Sequence, residues 1–158
     1  MKQSKYPFAE IRYGDDLFAI EHFNTFPKDA EMGNPYNTTY SLRVVSGAFS
    51  GYAPCECDIK EFRKFVSEME ELFRFKRDKT ELCDICYGSK VVFGIDKSGH
   101  LDISGEIFGQ AAEQCLVFRF TADQTCLNDF VLTIKNYVQN YTGFECKHDI
   151  GEKGSLQL

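Results

Sequence analysis

Residues 40–75 read YSLRVVSGAFSGYAPCECDIKEFRKFVSEMEELFRF, and this stretch decides the fold: two strands about a tight turn, then a helix. Tyr40, Leu42 and Val44 alternate with Ser41 and Arg43, so one face of the first strand is apolar and the other wet. Ser46-Gly47 interrupts the run and Gly51 follows, as turn and bulge signals between paired strands do. Asp58 is placed as an N-cap whose carboxylate accepts from the amide three residues on, with Glu61 able to reach back. Beyond it Phe62, Phe65, Val66, Met69, Leu72 and Phe73 keep helical spacing, while Glu61, Lys64, Glu68 and Glu71 fall on the opposite side. Such a helix must cover something flat and apolar, and the sheet containing the preceding hairpin is its expected partner.

Working outward, 158 residues suit one domain that buries roughly 70% of its unfolded surface. With 43% hydrophobic residues, 15 Phe and 8 Tyr, the composition is that of an aromatic globular core. No apolar run approaches the roughly 20 residues that span a bilayer, and MKQSKYPFAE lacks a signal-peptide core, so the expected location is cytoplasmic. Seven cysteines cannot all pair within one chain, and reduced thiols are expected. A net charge of −6 argues against nucleic acid as partner, because phosphate binding needs a basic patch. The one basic run, RFKRDK at 74–79, sits where cations complement the end of the predicted helix.

Before the central stretch, residues 8–13 and 17–26 read as paired strands about Gly14-Asp15-Asp16, and residues 23–40, with Pro27, Gly33 and Pro35, as a long loop. After it, strands are predicted at 81–87, 90–96, 101–108 and 114–122, with a hairpin turn at 96–99. Leu101, Ile103 and Ile107 point one way and His100, Asp102, Ser104 and Glu106 the other. Asp123 or Thr125 caps a second helix whose stripe runs from Leu127 through Phe130, Val131, Ile134, Tyr137 and Val138 to Tyr141. Short strands joined by tight turns pair antiparallel. The expected architecture is therefore α+β, a curved antiparallel sheet of seven to eight strands with two amphipathic helices on one face. Residues 1–143 form the expected domain, and 144–158 a mobile tail.

Chemistry-bearing constellations are few. Cys55-x-Cys57 and Cys83-x-x-Cys86 supply four thiols, yet the first pair lies on a predicted strand rather than in a metal knuckle, so burial is the better reading and no metal is expected. The second pair lacks the strand-to-helix setting of a redox motif. His22, His100 and His148 stand apart from any nucleophile pattern, and no cofactor fingerprint occurs. Asp102 and Glu106, about 13 Å apart along one strand, are too far separated for paired acid–base work. An enzyme is unsupported. The remaining candidate is a polar, electrostatically steered protein interface on the wet sheet face.

Three phrases carry a family likeness: SGAFSG at 46–51 ahead of an Asp-capped helix, SGEIFG at 104–109, and CLVFRFTADQTCL at 115–127. Together, over about residues 40–141, they resemble the WapI-type immunity proteins, small bacterial proteins that neutralise the toxin domain of a polymorphic toxin. The most specific piece is Phe118-x-Phe120 with Asp123-Gln124-Thr125-x-Leu127. The resemblance implies a non-enzymatic cytoplasmic binder without a cofactor, whose partner is a toxin domain, a nuclease among the candidates, and neither nucleic acid nor membrane. An acidic surface suits that role, with Asp102 and Glu106 as the expected contacts and Glu68 with Glu71 as the rival patch. A second class stays open: a small-molecule-binding or enzymatic α+β domain with an aromatic pocket between helices and sheet.

Overall fold

Eight antiparallel strands and three helices follow one another through residues 9–141, the part of the chain that the computed structural model describes. The fold is α+β, with the strand number the sequence predicts. Strands β1 (Ala9–Tyr13), β2 (Asp16–Thr25), β3 (Thr38–Ser46) and β4 (Phe49–Cys57) form one sheet in chain order, and helix α2 (Ile59–Phe73) follows. Strands β5 (Lys79–Cys83), β6 (Lys90–Ile95), β7 (His100–Phe108) and β8 (Cys115–Asp123) form a second sheet in the same order, and helix α3 (Leu127–Tyr141) follows. A four-strand meander with a helix behind it thus occurs twice. The strands on either side of α2, β4 and β5, are not paired, so the eight strands divide there into two sheets. Phe8 of the first predicted strand, His148 and the segment 144–158 predicted as a tail lie outside the described residues.

The central hairpin forms as its alternation dictates. Tyr40, Leu42 and Val44 are buried, and Gly47 takes φ +60° in the turn, a conformation that costs glycine little. On the wet face Arg43 grips the Glu21 carboxylate through Nε at 3.2 Å and Nη2 at 3.3 Å. Its guanidinium also lies 5.0 Å from the Tyr52 ring centre. Within the predicted long loop the chain makes one short helix, α1 (Pro27–Glu31), with Pro27 in its first turn, where a missing N–H is harmless.

Asp58 does cap α2, but it accepts from Lys60 N at 3.0 Å, one residue earlier than the sequence suggests. A second cap comes from Asn37, whose Oδ1 accepts from Ile59 N at 2.8 Å and whose Nδ2 donates to Asp58. Two orphan amides of the first turn are satisfied in this way. The apolar stripe of α2 bridges both sheets: the Phe62 ring is 4.6 Å from that of Phe23, and the Phe65 ring 5.6 Å from that of Phe93. Phe18 of β2 meets Phe93 of β6 edge-on at 5.2 Å, and Phe130 of α3 tilts against both. Each such ring, once buried, contributes about 2 kcal/mol. These side chains pack on one another, so the aromatics fill the interior.

The entry to α3 is settled by Asp123, whose Oδ1 accepts from Thr125 N and Thr125 Oγ1, both at 2.9 Å. A turn of 3-10 helix, Gln124–Cys126, then leads into α3. The Thr125 amide holds the Asp123 carboxyl below the usual aspartate range. The cap's contribution is therefore complete above the ordinary aspartate pKa and is lost as pH falls through the lowered one. Asp123→Ala is expected to lower the thermal unfolding midpoint by a few degrees at neutral pH and to reduce the stability lost in acid. An unchanged midpoint would move the cap to another residue.

Candidate functional site

The register of the second sheet places the residues of its outer face in three rows. Lys79, Gly94, Asp102 and Thr121 form one, Glu81, Val92, Ser104 and Arg119 the next, and Cys83, Lys90, Glu106 and Val117 the third. Three cations, Lys79, Lys90 and Arg119, thus share the face with three carboxylates, Asp102, Glu81 and Glu106. Arg119 Nε donates to Asp102 Oδ1 at 2.8 Å, and Lys90 Nζ lies 3.1 Å from Glu81. Glu106 accepts from Cys115 Sγ at 3.3 Å. Asp102 and Glu106 therefore stand on one face but in a field that is locally balanced, with Val117 exposed beside them.

Glu68 and Glu71 of the rival patch share one cation: Arg77 Nη2 is 3.4 Å from Glu68 and 3.2 Å from Glu71. Arg74 and Lys135 flank Glu70 at 3.7 Å and 3.3 Å. The basic run after α2 thus neutralises the helix's own carboxylates. Exposed pairs of this kind are worth little in stability but remove net field.

Negative charge is in excess where α2 runs beside β5. A groove of about 450 Å³ lies there, floored by Cys57, Phe62, Phe65 and Leu82, with Pro35 and Ile85 at its margin. Around it stand four carboxylates, Asp58, Glu61, Glu68 and Glu81, against one cation, Lys64. Arg77 and Lys90 reach Glu68 and Glu81 from outside, which leaves the excess at Asp58 and Glu61. Helical spacing puts Glu61, Lys64 and Glu68 along one side of α2, and the strand pleat turns Glu81 outward opposite them. Nothing in the sequence brings Glu61 and Glu81 together, because the juxtaposition depends on how α2 lies against β5.

One end of this groove is shaped by Asp84, a buried carboxylate that accepts from four backbone amides: Glu56 at 2.7 Å, Cys86 and Tyr87 at 2.9 Å, and Ser89 at 3.4 Å. The strand predicted through residue 87 consequently stops at Cys83. The missed signal is an Asp followed four residues later by Gly88 at φ +86°, the pattern of a carboxylate that closes its own turn.

Cys55 and Cys57 face inward together on β4 and are buried, whereas Cys83 and Cys86 are exposed. Burial pushes the Cys55 and Cys57 thiols far up, so neither is a thiolate at neutral pH. Among the described residues no group of three or more His, Cys, Asp and Glu side chains is arranged to hold a metal ion. His100 is exposed at the start of β7 with Nδ1 3.0 Å from Asp96 Oδ2. His22 occupies a bulge between β2 and β3 at φ +56°, with Nδ1 3.4 Å from the Tyr52 hydroxyl.

No protein-family model matches the chain, and no curated protein is similar to it in sequence. Its fold is similar to that in the crystal structure of WHY1 from Arabidopsis thaliana, with a TM-score of 0.51 at 7% sequence identity, over 100% of this chain and 97% of that chain. At that identity the likeness concerns the fold alone. Among the described residues no helix is long and apolar enough to cross a membrane.

Proposed function

We propose that the chain is an immunity-type binding protein that sequesters a toxin domain in the cytoplasm and performs no chemistry on it. The observation that carries this reading is the groove between α2 and β5, where an apolar floor is ringed by carboxylates in excess of cations. Such a surface desolvates an apolar side chain of the partner while its rim attracts neighbouring cations, and complementary fields raise association rates. The sequence phrases at 46–51, 104–109 and 115–127 support the same reading by resemblance. The groove is the preferred contact surface, and the face bearing Asp102 and Glu106 is the alternative.

The test is co-expression with the product of the adjacent upstream gene. Rescue of growth together with co-purification supports the proposal, and a non-toxic neighbour that forms no complex overturns it. Charge reversal then separates the surfaces. Glu61→Lys is expected to weaken the complex by about tenfold or more. The double change Asp102→Lys and Glu106→Lys is expected to leave it within about twofold, since that face is already balanced.

A further inference from the structure

We propose that the free edge of β5 is a strand-addition site, at which an extended, lysine- or arginine-bearing segment of the protein partner pairs with Lys79, Glu81 and Cys83 beside α2. The inference rests on the reading of the chain as a toxin-binding protein and specifies how the partner is held. Its first support is the parity of the β5–β6 ladder. Ile95 N donates to Asp78 O at 2.9 Å and Asp84 N to Ser89 O at 2.8 Å, in the same register that pairs Thr80 with Phe93 and Leu82 with Val91. In an antiparallel pair, hydrogen-bonded and non-bonded residues alternate. Residues 78, 80, 82 and 84 therefore bond inward to β6, and the N–H and C=O groups of Lys79, Glu81 and Cys83 point away from it.

Each of the other three sheet edges meets at least one hydrogen bond from elsewhere in the chain. On β1 Cys126 Sγ donates to Arg12 O at 3.6 Å. On β4 the Asp84 carboxylate takes the Glu56 amide, and Ile85 N donates to Glu56 O at 3.0 Å. On β8 the Ser46 hydroxyl donates to Arg119 O at 3.2 Å. Among the described residues, no hydrogen bond reaches the outward backbone groups of β5. An edge whose outward groups meet no partner at all is a template for a further strand.

The surroundings select the occupant. Five residues of β5 offer about 17 Å of edge, room for a partner strand of similar length. Alternate side chains of that strand would face the floor of Phe62 and Phe65, where an apolar group is buried, and the rim, where Glu61 and Asp58 favour a cation. A second copy of β5 fits poorly. Glu81 is the middle residue of the strand, so symmetric antiparallel pairing would set it opposite itself and bring two acidic rims together.

Hydrogen exchange on the complex with the upstream gene product reads the proposal directly. The amides of Lys79, Glu81 and Cys83 are expected to exchange rapidly in the free protein and to become protected in the complex, while those of Thr80 and Leu82 are protected in both. As a second readout, Glu81→Pro removes an outward amide without touching the β6 ladder. It is expected to weaken the complex by about tenfold beyond the effect of Glu81→Gln, which keeps that amide. A rescued, co-purifying complex in which the three amides exchange as before overturns strand addition and leaves the immunity reading standing. If the upstream product does not bind but a blocked hexapeptide alternating lysine and valine protects the same amides, strand addition stands and the immunity reading falls. Protection by neither overturns both.

Discussion

Asp84→Ala is expected to lower the unfolding free energy by about 3 kcal/mol, a drop of about 10 °C in the thermal midpoint of a chain of this length. The carboxylate accepts from four amides while itself buried, and no other group of the loop replaces it. The amides of Cys86 and Tyr87 are near the surface and can turn to water, so their loss is partly recovered. Those of Glu56 and Ser89 are held between β4 and the β5–β6 loop, and it is their isolation that sets the magnitude. Chemical denaturation of the purified variant measures it. Because Ile85 and Cys83 line one end of the acidic groove, the variant is also expected to bind the partner more weakly at temperatures where it is still folded. A loss below about 1 kcal/mol would mean that the loop is held by something other than this carboxylate.

Gly105→Ala is expected to be of similar severity, about 3 kcal/mol, for a different reason. A Cβ at position 105 would be driven into the carbonyl oxygen of Lys90, and would stand 3.0 Å from Val91 Cα and 3.2 Å from the Lys90 carbonyl carbon. These are backbone atoms of the neighbouring strand, so relief requires β6 and β7 to part where Val91 pairs with Gly105. Gly51→Ala is the instructive comparison. There the new Cβ meets Leu116 Cδ2 at 2.8 Å and Ile107 Cδ1 at 3.1 Å, both ends of side chains that can swing aside. The expected order of unfolding midpoints is wild type, then Gly51→Ala, then Gly105→Ala. An equal effect at both glycines would show that β6 and β7 separate more easily than their ladder suggests.

Much of this architecture is legible in the chain because it is written locally. The alternation of Tyr40, Leu42 and Val44, the stripe from Phe62 to Phe73 and the caps at Asp58 and Asp123 each depend on residues only a few positions apart. Asn37 was missed as a cap because it acts on an amide 22 residues away, across a loop of no fixed period. The end of β5 was missed because Leu82, Ile85 and Tyr87 look like a strand until Asp84 is seen to gather the amides around it. The division into two sheets is a matter of which strands pair, which no single segment encodes.

The candidate contacts were harder still, and for an electrical reason. Alternation in residues 115–120 turns Arg119 outward beside Asp102, and folding pairs the two, whereas Glu68 and Glu71 read as acidic surface until Arg77 is set against both. The excess at Asp58 and Glu61 emerges only once folding assigns Arg77 to Glu68 and Lys90 to Glu81. Outward backbone groups on β5 leave no trace in side-chain identity at all, since parity of pairing is a property of two strands together.

The Tyr137 hydroxyl bonds both Ala9 N and Ile20 O, tying the last described helix to the first two strands across more than a hundred residues. On a ribosome the hydroxyl emerges more than a hundred residues after the strands it secures. The side chains that line the groove, from Pro35 to Ile85, all precede Tyr137 in the chain, and so does the β6 strand that β5 pairs with. Every residue that lines the groove is thus synthesised before the hydroxyl that secures β1, so the last described helix locks a recognition surface whose parts are already made.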